Sequence, residues 1–186
     1  MNQQHAIDFE MIFQYAPVGM CISIDRVIRH CNDAVSTMFG YGHGELDGKS
    51  FQVLYPTADE FQRTGDRIIP VMNVKGVYSD ERIMRRANGE LFWCHVSGRA
   101  IKAGEPLGAG VWTFEDVSEK RPVTAELTPR EREIAALLVE GKTSKIIARE
   151  TSLSPRTVEM HRAKLMRKFS AATSSELVHK LVGVSR

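Results

Sequence analysis

The sequence predicts two unlike domains: an α+β domain built on an antiparallel five-stranded sheet with flanking helices, and after it an all-α domain of four helices. Two patterns carry this prediction. In the first two thirds of the chain, short runs rich in β-branched and aromatic residues are separated by turn residues, as in antiparallel strands. In the last third, Thr128, Ser154 and Thr173 each stand at a helix-start position.

The first 40 residues predict an opening order of helix, strand, strand, helix. The predicted elements are an amphipathic helix over residues 7–13 that ends before Pro17, strands over 20–24 and 27–31, and a helix capped by Asn32 that ends at Gly40. Only Asp25 and Arg26 separate the two strands. A two-residue hairpin turn is therefore expected there.

The next 80 residues predict a helix followed by three longer strands. The expected spans are a helix near 58–71 and strands over 78–85, 90–101 and 108–117. Turn signals stand at Asn88-Gly89 and at Glu105-Pro106, between consecutive strands. These three strands should form an antiparallel meander.

Motifs within this region resemble those of PAS sensory domains over residues 7–121. The matching segments are Ala16-Pro17-Val18-Gly19, Asn32-Asp33-Ala34, Phe39-Gly40-Tyr41, Glu45-Leu46-x-Gly48, Arg86-Ala-Asn-Gly89-Glu-x-Phe92-Trp93 and Asp116-Val-Ser-Glu-Lys120. The Asp-x-Gly hairpin that usually follows the first strand lacks its glycine here. Asp25 and Arg26 are therefore expected to make a tighter turn.

Analogy with the PAS fold assigns the two faces of the last strands. Residues at alternate positions of a strand share a face, so the inward set is Phe92, Cys94, Val96 and Gly98, together with Gly110, Trp112 and Phe114. The functional interpretation is a small-molecule pocket lined by Cys94, Val96, Trp112 and Phe114. The alternative is a plain packed core, because the fold alone does not establish a ligand.

The residues that known PAS cofactors require are absent from the corresponding segments. Haem of the oxygen-sensor kind takes an axial imidazole from the long helix, and residues 58–72 contain no histidine. A flavin photosensor of the LOV class needs a reactive cysteine, and residues 48–54 contain none. Neither haem nor flavin is expected, and the identity of any ligand stays open.

Cysteine and histidine spacing indicates no metal site. Cys21, Cys31 and Cys94 are odd in number and form no Cys-x-x-Cys pair, so they are interpreted as small buried hydrophobes rather than as zinc ligands or a disulfide framework. His30 and His95 lie on predicted strands without a partner at metal-ligand spacing, which favours hydrogen-bonded or surface roles.

The start of the all-α domain carries a capping box. Thr128 is followed by Pro129 at the first helical position and by Glu131 three residues after the threonine, so a helix is predicted to begin there. The short segment 143–150 and a second start signal at Ser154-Pro155 enclose a tight connection. This arrangement has the spacing of a helix-turn-helix motif.

The same residues resemble the LuxR/FixJ-type DNA-binding domain over about residues 126–184. The matching positions are Leu127-Thr-Pro-Arg-Glu-Arg-Glu-Ile134, Gly141, Lys145, Ile147-Ala148, Leu153-Ser154, Thr157-Val158, His161 and Lys168-Phe169. Three positions depart from the family, which usually carries an acid at Ile146, a Leu at Thr151 and a Gly at Ser152. A serine with positive φ at the last of these would strain the turn by about 1 kcal/mol.

The resemblance implies that the helix from Pro155 to Phe169 enters the major groove of double-stranded DNA. Helical spacing turns Val158, Leu165 and Phe169 inward. The residues expected on the DNA side are Lys145, Arg156, Thr157, Glu159, Met160, Ala163, Lys164 and Arg167. By analogy with the family, Glu159, Met160 and Ala163 meet base edges, while Thr157, Lys164 and Lys145 favour phosphate.

Charge separates the two predicted domains. Residues 1–124 hold 13 Lys and Arg against 16 Asp and Glu, whereas residues 125–186 hold 12 against 7. A basic second half suits a polyanionic partner. The expected division is 1–121, a linker over 122–126, and 127–186. With no apolar run long enough for a membrane span and no basic leader, the protein is expected to be cytoplasmic.

The sequence favours a transcription regulator over an enzyme. It contains no Gly-rich phosphate loop, His-Glu-x-x-His pair or Gly-x-Ser-x-Gly elbow, so no catalytic residue is assigned. The acidic residues do not match a phosphoacceptor receiver domain, and no acyl-homoserine-lactone domain is indicated. The alternative from a different class is a PAS interaction module that regulates a partner protein without productive DNA binding.

A homodimer is expected, with contacts from both domains. Trp93 and Val111 fall on the outer face of the predicted sheet, where exposed apolar residues need a cover, and the segment 7–13 is the candidate, on its own sheet or on a partner's. If that helix packs only within its own chain, the protein is a monomer. In the final helix, Leu177, Leu181 and Val184 form a stripe, and a second contact is expected at its edge near Val178 and Val182.

Overall fold

The structure is a computed structural model that describes residues 8–102, 104–105, 108–118 and 127–182. Its N-terminal domain contains α1 (Phe9–Gln14), β1 (Gly19–Ile24), β2 (Val27–Cys31), α2 (Asp33–Phe39), a 3₁₀ turn (Phe51–Leu54), α3 (Ala58–Lys75), β3 (Val77–Arg85), β4 (Leu91–Ala100) and β5 (Ala109–Asp116). Its C-terminal domain contains α4 (Pro129–Val139), α5 (Ser144–Glu150), α6 (Pro155–Lys168) and α7 (Ser174–Leu181).

The five strands form one antiparallel sheet in the order β2-β1-β5-β4-β3. The predicted strands are confirmed, with ends within one or two residues. Asp25 and Arg26 make the two-residue turn between β1 and β2, with φ of 52° and 62°. Two consecutive positive φ values are what such a hairpin requires, and neither residue is a glycine.

The inner face of the sheet carries the core of the N-terminal domain. Phe92, Cys94, Val96, Trp112 and Phe114 are all buried in it, so the predicted inward set is confirmed. Gly98 lies opposite Trp112, and a Cβ on this glycine would stand 2.3 Å from the indole ring. The missing side chain is therefore what lets the indole pack directly against the backbone of β4. Its Nε1 donates to Ser23 Oγ at 2.9 Å.

The C-terminal helices begin at the hydroxyl residues that the sequence indicates. Thr128 and Glu131 form the complete capping box, and Ser154 and Thr173 cap α6 and α7. Ser152 has φ of 55°, so the serine occupies the left-handed conformation for which the family usually uses glycine. Leu177 and Leu181 are buried as expected. Val184, the third residue of that stripe, lies outside the described residues.

The outer face of the sheet is covered differently from the prediction. Trp93 is only 2% exposed because, together with Ile83, it joins the apolar cluster of the C-terminal domain. Helix α4 packs on β3 there. The expectation that the N-terminal helix covers Trp93 is wrong: in the described part of that helix no residue is buried, and Phe9 is 77% exposed. Val111 stays half-buried beside α4, in an open cleft of about 1000 Å³.

Candidate nucleic-acid interface

Helix α6 has one apolar face and one polar face. Val158 and Leu165 are fully buried, and Phe169, the residue that ends the helix, packs partly buried against the same cluster. The predicted DNA-side residues of α6 lie on the opposite face or beside it, and Lys145 lies on α5. The exposed residues are Lys145, Arg156, Glu159, Met160, Ala163, Lys164 and Arg167, and Thr157 is half-buried.

The start of α6 is fixed by a local hydrogen-bond network. The Ser154 hydroxyl accepts from the Thr157 backbone N–H at 3.0 Å and lies 2.8 Å from the Thr157 hydroxyl. Pro155 occupies the first helical position. Because the cap holds the first turn rigidly, the side chains of Arg156 and Glu159 project from a fixed position.

Arg162 joins three helices of this domain, a role that no sequence motif indicated. Its guanidinium donates to Ser144 Oγ on α5 at 2.6 Å, to Ser174 Oγ on α7 at 2.8 Å and to Glu159 Oε1 at 3.3 Å. In the sequence, the only indication of this role is the i, i+3 spacing of Glu159 and Arg162, which places the two side chains next to each other on one helix. Arg162 thus orients the carboxylate of Glu159 and links the exposed face to the rest of the domain.

His161 is set up to stay neutral. Burial and the nearby charge of Lys164 lower the pKa of its imidazole below the usual range. Its Nδ1 is buried and has no hydrogen-bond partner among the described residues. The positive charge at this part of the helix therefore comes from Lys164 and Arg167 rather than from the histidine.

Known proteins match both parts of the chain. The family model described as "PAS domain" matches residues 17–119, and the one described as "Bacterial regulatory proteins, luxR family" matches residues 125–181. The PAS domain of a transcriptional regulator in the LuxR family from Burkholderia thailandensis, solved in complex with ethanol, is 56% identical; the match covers 60% of this chain and 99% of that one, with a TM-score of 0.59. The chain belongs to the PAS domain family, and its last third is a LuxR-type domain.

Two further proteins are similar to parts or most of the chain. The transcriptional regulatory protein FixJ of Bradyrhizobium diazoefficiens is 40% identical over 79 residues, which cover 42% of this chain and 37% of FixJ. The VqmA dimer of Vibrio cholerae is 20% identical over 96% of this chain and 89% of its own, with a TM-score of 0.57, and shares the fold. The chain spans under half the length of curated relatives such as FixJ. The predicted PAS and LuxR-type folds are confirmed; the exact domain boundaries stay a prediction.

The PAS domain contains a small, partly open cavity between α3 and the sheet. Its volume is about 30 Å³, and it is lined by Arg26, Phe51, Tyr55, Phe61, Gly65, Ile68, Arg82, Met84, Val96, Trp112 and Phe114. Three of the four residues predicted for a pocket, Val96, Trp112 and Phe114, are therefore in its wall. Cys94 is not among the lining residues; it lies elsewhere in the core, where burial raises its pKa to about 12.

Two arginines that the sequence did not single out complete the cavity wall. Arg26, from the tight β1–β2 turn, lies 3.4 Å from the centre of the Phe61 ring and donates to the Phe61 carbonyl at 2.6 Å. Arg82, from β3, donates to the Tyr55 hydroxyl at 2.6 Å and to the Asp80 carboxylate. Although burial opposes a charged guanidinium, Asp80 holds the pKa of Arg82 above its usual range.

The cavity wall connects to the LuxR-type domain through charged groups. Asp80 also accepts from Arg67 of α3 at 3.3 Å. Arg67 lies 3.9 Å from Glu133 of α4, which accepts from Arg63 at 3.1 Å. A continuous series of ion pairs therefore runs from the cavity residue Arg82 to helix α4 of the LuxR-type domain.

A buried ion pair fastens the two domains to each other. Arg132 of α4 donates from Nε and Nη2 to the two carboxylate oxygens of Glu60 on α3, at 2.7 and 2.9 Å. Both side chains are almost fully buried. Arg132 donates to the Leu127 carbonyl as well, and Glu60 accepts from Thr57 at 2.8 Å. A bidentate pair of this kind fixes the orientation of α4 against α3.

Proposed function

We propose that the protein is a transcription regulator whose LuxR-type domain binds double-stranded DNA through α6 and whose PAS domain controls that binding. One observation carries the DNA-binding part: the whole predicted DNA-side set stays accessible, while the opposite face of the same helix is locked into the core. The PAS domain packs on α4, and the predicted DNA-side residues of α6 other than Thr157 are exposed. Neither α6 nor α5, which carries Lys145, has to unfold before DNA can bind.

The chemistry of the exposed face supports both positioning and sequence reading. Among the described residues, neither Lys164 nor Lys145 forms an ion pair with a carboxylate, so both are suited to contact phosphate. Met160 and Ala163 can contact the methyl group of thymine, and the carboxylate of Glu159 can accept from cytosine N4. The lysines of this face thus attract the DNA backbone whatever its sequence, and the residues at its centre can distinguish one base from another.

Replacing Glu159 by glutamine should change the preferred DNA sequence more than the overall affinity. The amide keeps the size of the side chain but adds a donor, so preference should move away from cytosine at the contacted position, by about 1–3 kcal/mol between the two bases. Selection from a randomised duplex library, followed by titration of the winning sequences, measures this change. Glu140→Gln is the matched control, because Glu140 ends α4 and lies in the cleft beside the PAS domain.

An unchanged sequence preference in Glu159→Gln would mean that Glu159 does not contact a base.

The rival function, a PAS interaction module without productive DNA binding, is tested with the unmodified protein. A DNA-binding regulator must retard mixed duplex DNA, and its affinity must fall steeply as salt rises, because displaced counterions dominate nonspecific binding. Absence of any salt-dependent retardation would favour the interaction module.

For the PAS domain we propose a ligand of only a few non-hydrogen atoms in the cavity of α3 and the sheet. A space of about 30 Å³ exceeds what one water needs. The aromatic walls suit an apolar body, and the hydroxyl of Tyr55 with the guanidinium of Arg26 suits a single polar group. The relative from Burkholderia thailandensis, which holds ethanol, supports a ligand of this size.

We also propose that α3 carries the state of the cavity to the LuxR-type domain. Phe61 and Gly65 of α3 line the cavity, while Glu60, Arg63 and Arg67 of the same helix contact α4. A ligand that fills the cavity would press against Phe61 and the backbone of α3 at Gly65. The ion pairs to Arg132 and Glu133 would then change together, and the position of the DNA-binding domain with them.

Deleting residues 1–15 should convert a dimer into a monomer or cause aggregation. Although α1 does not cover Trp93, its exposed Phe9, Met11, Ile12 and Tyr15 form an apolar surface that a second copy of the chain would bury. Light scattering at micromolar concentration measures the mass of both proteins. Phe9→Ser with Ile12→Ser tests the same surface without shortening the chain.

A strictly monomeric full-length protein would refute this dimer. If the full-length chain and the deletion are both dimeric, the contact lies elsewhere, and the edge of α7 near Val178 and Val182 becomes the candidate. These two valines are half-buried within one chain. A dimer would place two DNA-binding domains on one operator and raise the effective concentration of the second.

A further inference from the structure

Two cysteines face each other across the first hairpin of the PAS domain. Cys21 on β1 and Cys31 on β2 are direct cross-strand partners. The neighbouring pair is hydrogen-bonded, since the Asn32 N–H donates to the Met20 carbonyl at 3.0 Å, so the cysteine pair is of the non-hydrogen-bonded kind. Partners of that kind typically have Cα atoms about 4.5 Å apart, within the range that a disulfide spans.

The two thiols differ in chemistry. The Ser36 hydroxyl lies 3.7 Å from Cys31 Sγ. Chiefly because of the hydrogen bond from Cys21, and despite burial, the pKa of Cys31 is lowered to about 7. Burial raises the pKa of Cys21 well above its usual range. Cys31 is 5% exposed and Cys21 is fully buried, so Cys31 is the outer and more nucleophilic sulfur.

We propose that Cys21 and Cys31 are a redox modification site, which hydrogen peroxide converts into a disulfide. The thiolate of Cys31 attacks one peroxide oxygen, the O–O bond breaks, and the departing hydroxide takes up a proton to become water. The sulfur of Cys21 then attacks the sulfenic sulfur of Cys31 and expels hydroxide, which leaves as water with the proton from Cys21. Two thiols lose two electrons, and one peroxide becomes two waters.

Cys94 is the internal control for this reaction. It is fully buried on β4, its register partners are Arg82 and Asp116 rather than a cysteine, and burial raises its pKa to about 12. It should therefore stay a thiol under conditions that oxidise the pair. Its rate of reaction with peroxide should be lower than that of Cys31 by roughly tenfold or more.

The disulfide would act on the cavity wall. The bond closes the loop that contains the β1–β2 turn, and Arg26 in that turn stacks on Phe61 and lines the cavity. Oxidation would thus fix the position of Arg26 relative to α3. The redox step itself stands independently of any ligand in that cavity.

Peroxide treatment of the unmodified full-length protein tests the proposal without any substitution. The reaction is quenched, the protein is denatured, and free thiols are blocked with N-ethylmaleimide before mass analysis and peptide mapping. The expected product has lost two hydrogens, carries one label at Cys94 and contains a peptide in which Cys21 is linked to Cys31. Dithiothreitol should restore three labels. Three labels after peroxide, or a linkage that involves Cys94, would overturn the proposal.

Two variants assign the steps. Cys21→Ser removes the second thiol, so Cys31 should stop at the sulfenic acid and be captured by dimedone. Cys31→Ser should yield neither dimedone adduct nor linkage, and Cys94→Ser should form the linkage at the unmodified rate. A dimedone adduct at Cys21 in the Cys31→Ser protein would reverse the assigned roles and contradict the mechanism.

Discussion

Replacing Arg132 by alanine should separate the LuxR-type domain from the PAS domain. The substitution leaves the carboxylate of Glu60 buried with only the hydroxyl of Thr57 as a side-chain partner. Breaking a buried ion pair by removing one member typically costs about 3–5 kcal/mol, because the remaining charge has lost its compensation. A loss of this size should shift the molecule to an open form in which Glu60 reaches water.

The fluorescence of Trp93 reports this opening. Trp93 is buried against α4, so its emission should shift to longer wavelength when the domains separate. Trp93→Phe in the same background should abolish the shift, because Trp112 lies on the other face of the sheet. Arg149→Ala, a matched change at an exposed residue of α5, should leave the emission unaltered. An unshifted spectrum for Arg132→Ala would mean that the ion pair does not hold the domains together.

The elements were predictable because their signals are local. Capping residues mark the starts of α4, α6 and α7, and the two residues between β1 and β2 leave room only for a tight hairpin turn. Alternation along β4 and β5 assigned the buried face, since a strand with one face in a core repeats with period two. Each of these signals needs only a few neighbouring residues.

The domain interface was not predictable, because its partners are far apart in the chain. Glu60 and Arg132 are separated by 72 residues. In sequence Glu60 looks like a helix-start acid, and Arg132 looks like one more cation of a basic domain. Nothing local marks either side chain as buried. Strand alternation correctly placed Trp93 on the outer face of the sheet, but no local pattern shows that α4, rather than α1, packs on it.

The cavity was predictable in part for a related reason. Val96, Trp112 and Phe114 follow from strand alternation, whereas Arg26, Tyr55 and Phe61 reach the cavity from a turn, a 3₁₀ segment and a helix. Alternation also placed Cys94 inward, correctly, but could not tell which inward residues line empty space. That distinction depends on packing, which the sequence pattern does not encode.

Reversing the charge of Lys164 should weaken binding to every DNA sequence. Lys164 is exposed on the proposed DNA side of α6, where a glutamate would replace attraction to a phosphate by repulsion. Losing one phosphate contact should lower the affinity by roughly tenfold or more near 0.1 M salt. It should also reduce the slope of the plot of log binding constant against log salt concentration by about 1. Titrating specific and random duplexes at several salt concentrations measures both effects.

Lys102→Glu is the matched control, because it changes the net charge equally but lies in the loop before β5, where Lys102 pairs with Glu105. It should lower affinity only slightly, since a distant charge is screened by salt. The ratio of specific to random affinity should stay nearly constant in Lys164→Glu, in contrast to Glu159→Gln, because phosphate contacts carry no sequence information. Equal effects of the two lysine reversals would mean that net charge, and not the position of Lys164 on α6, governs DNA binding.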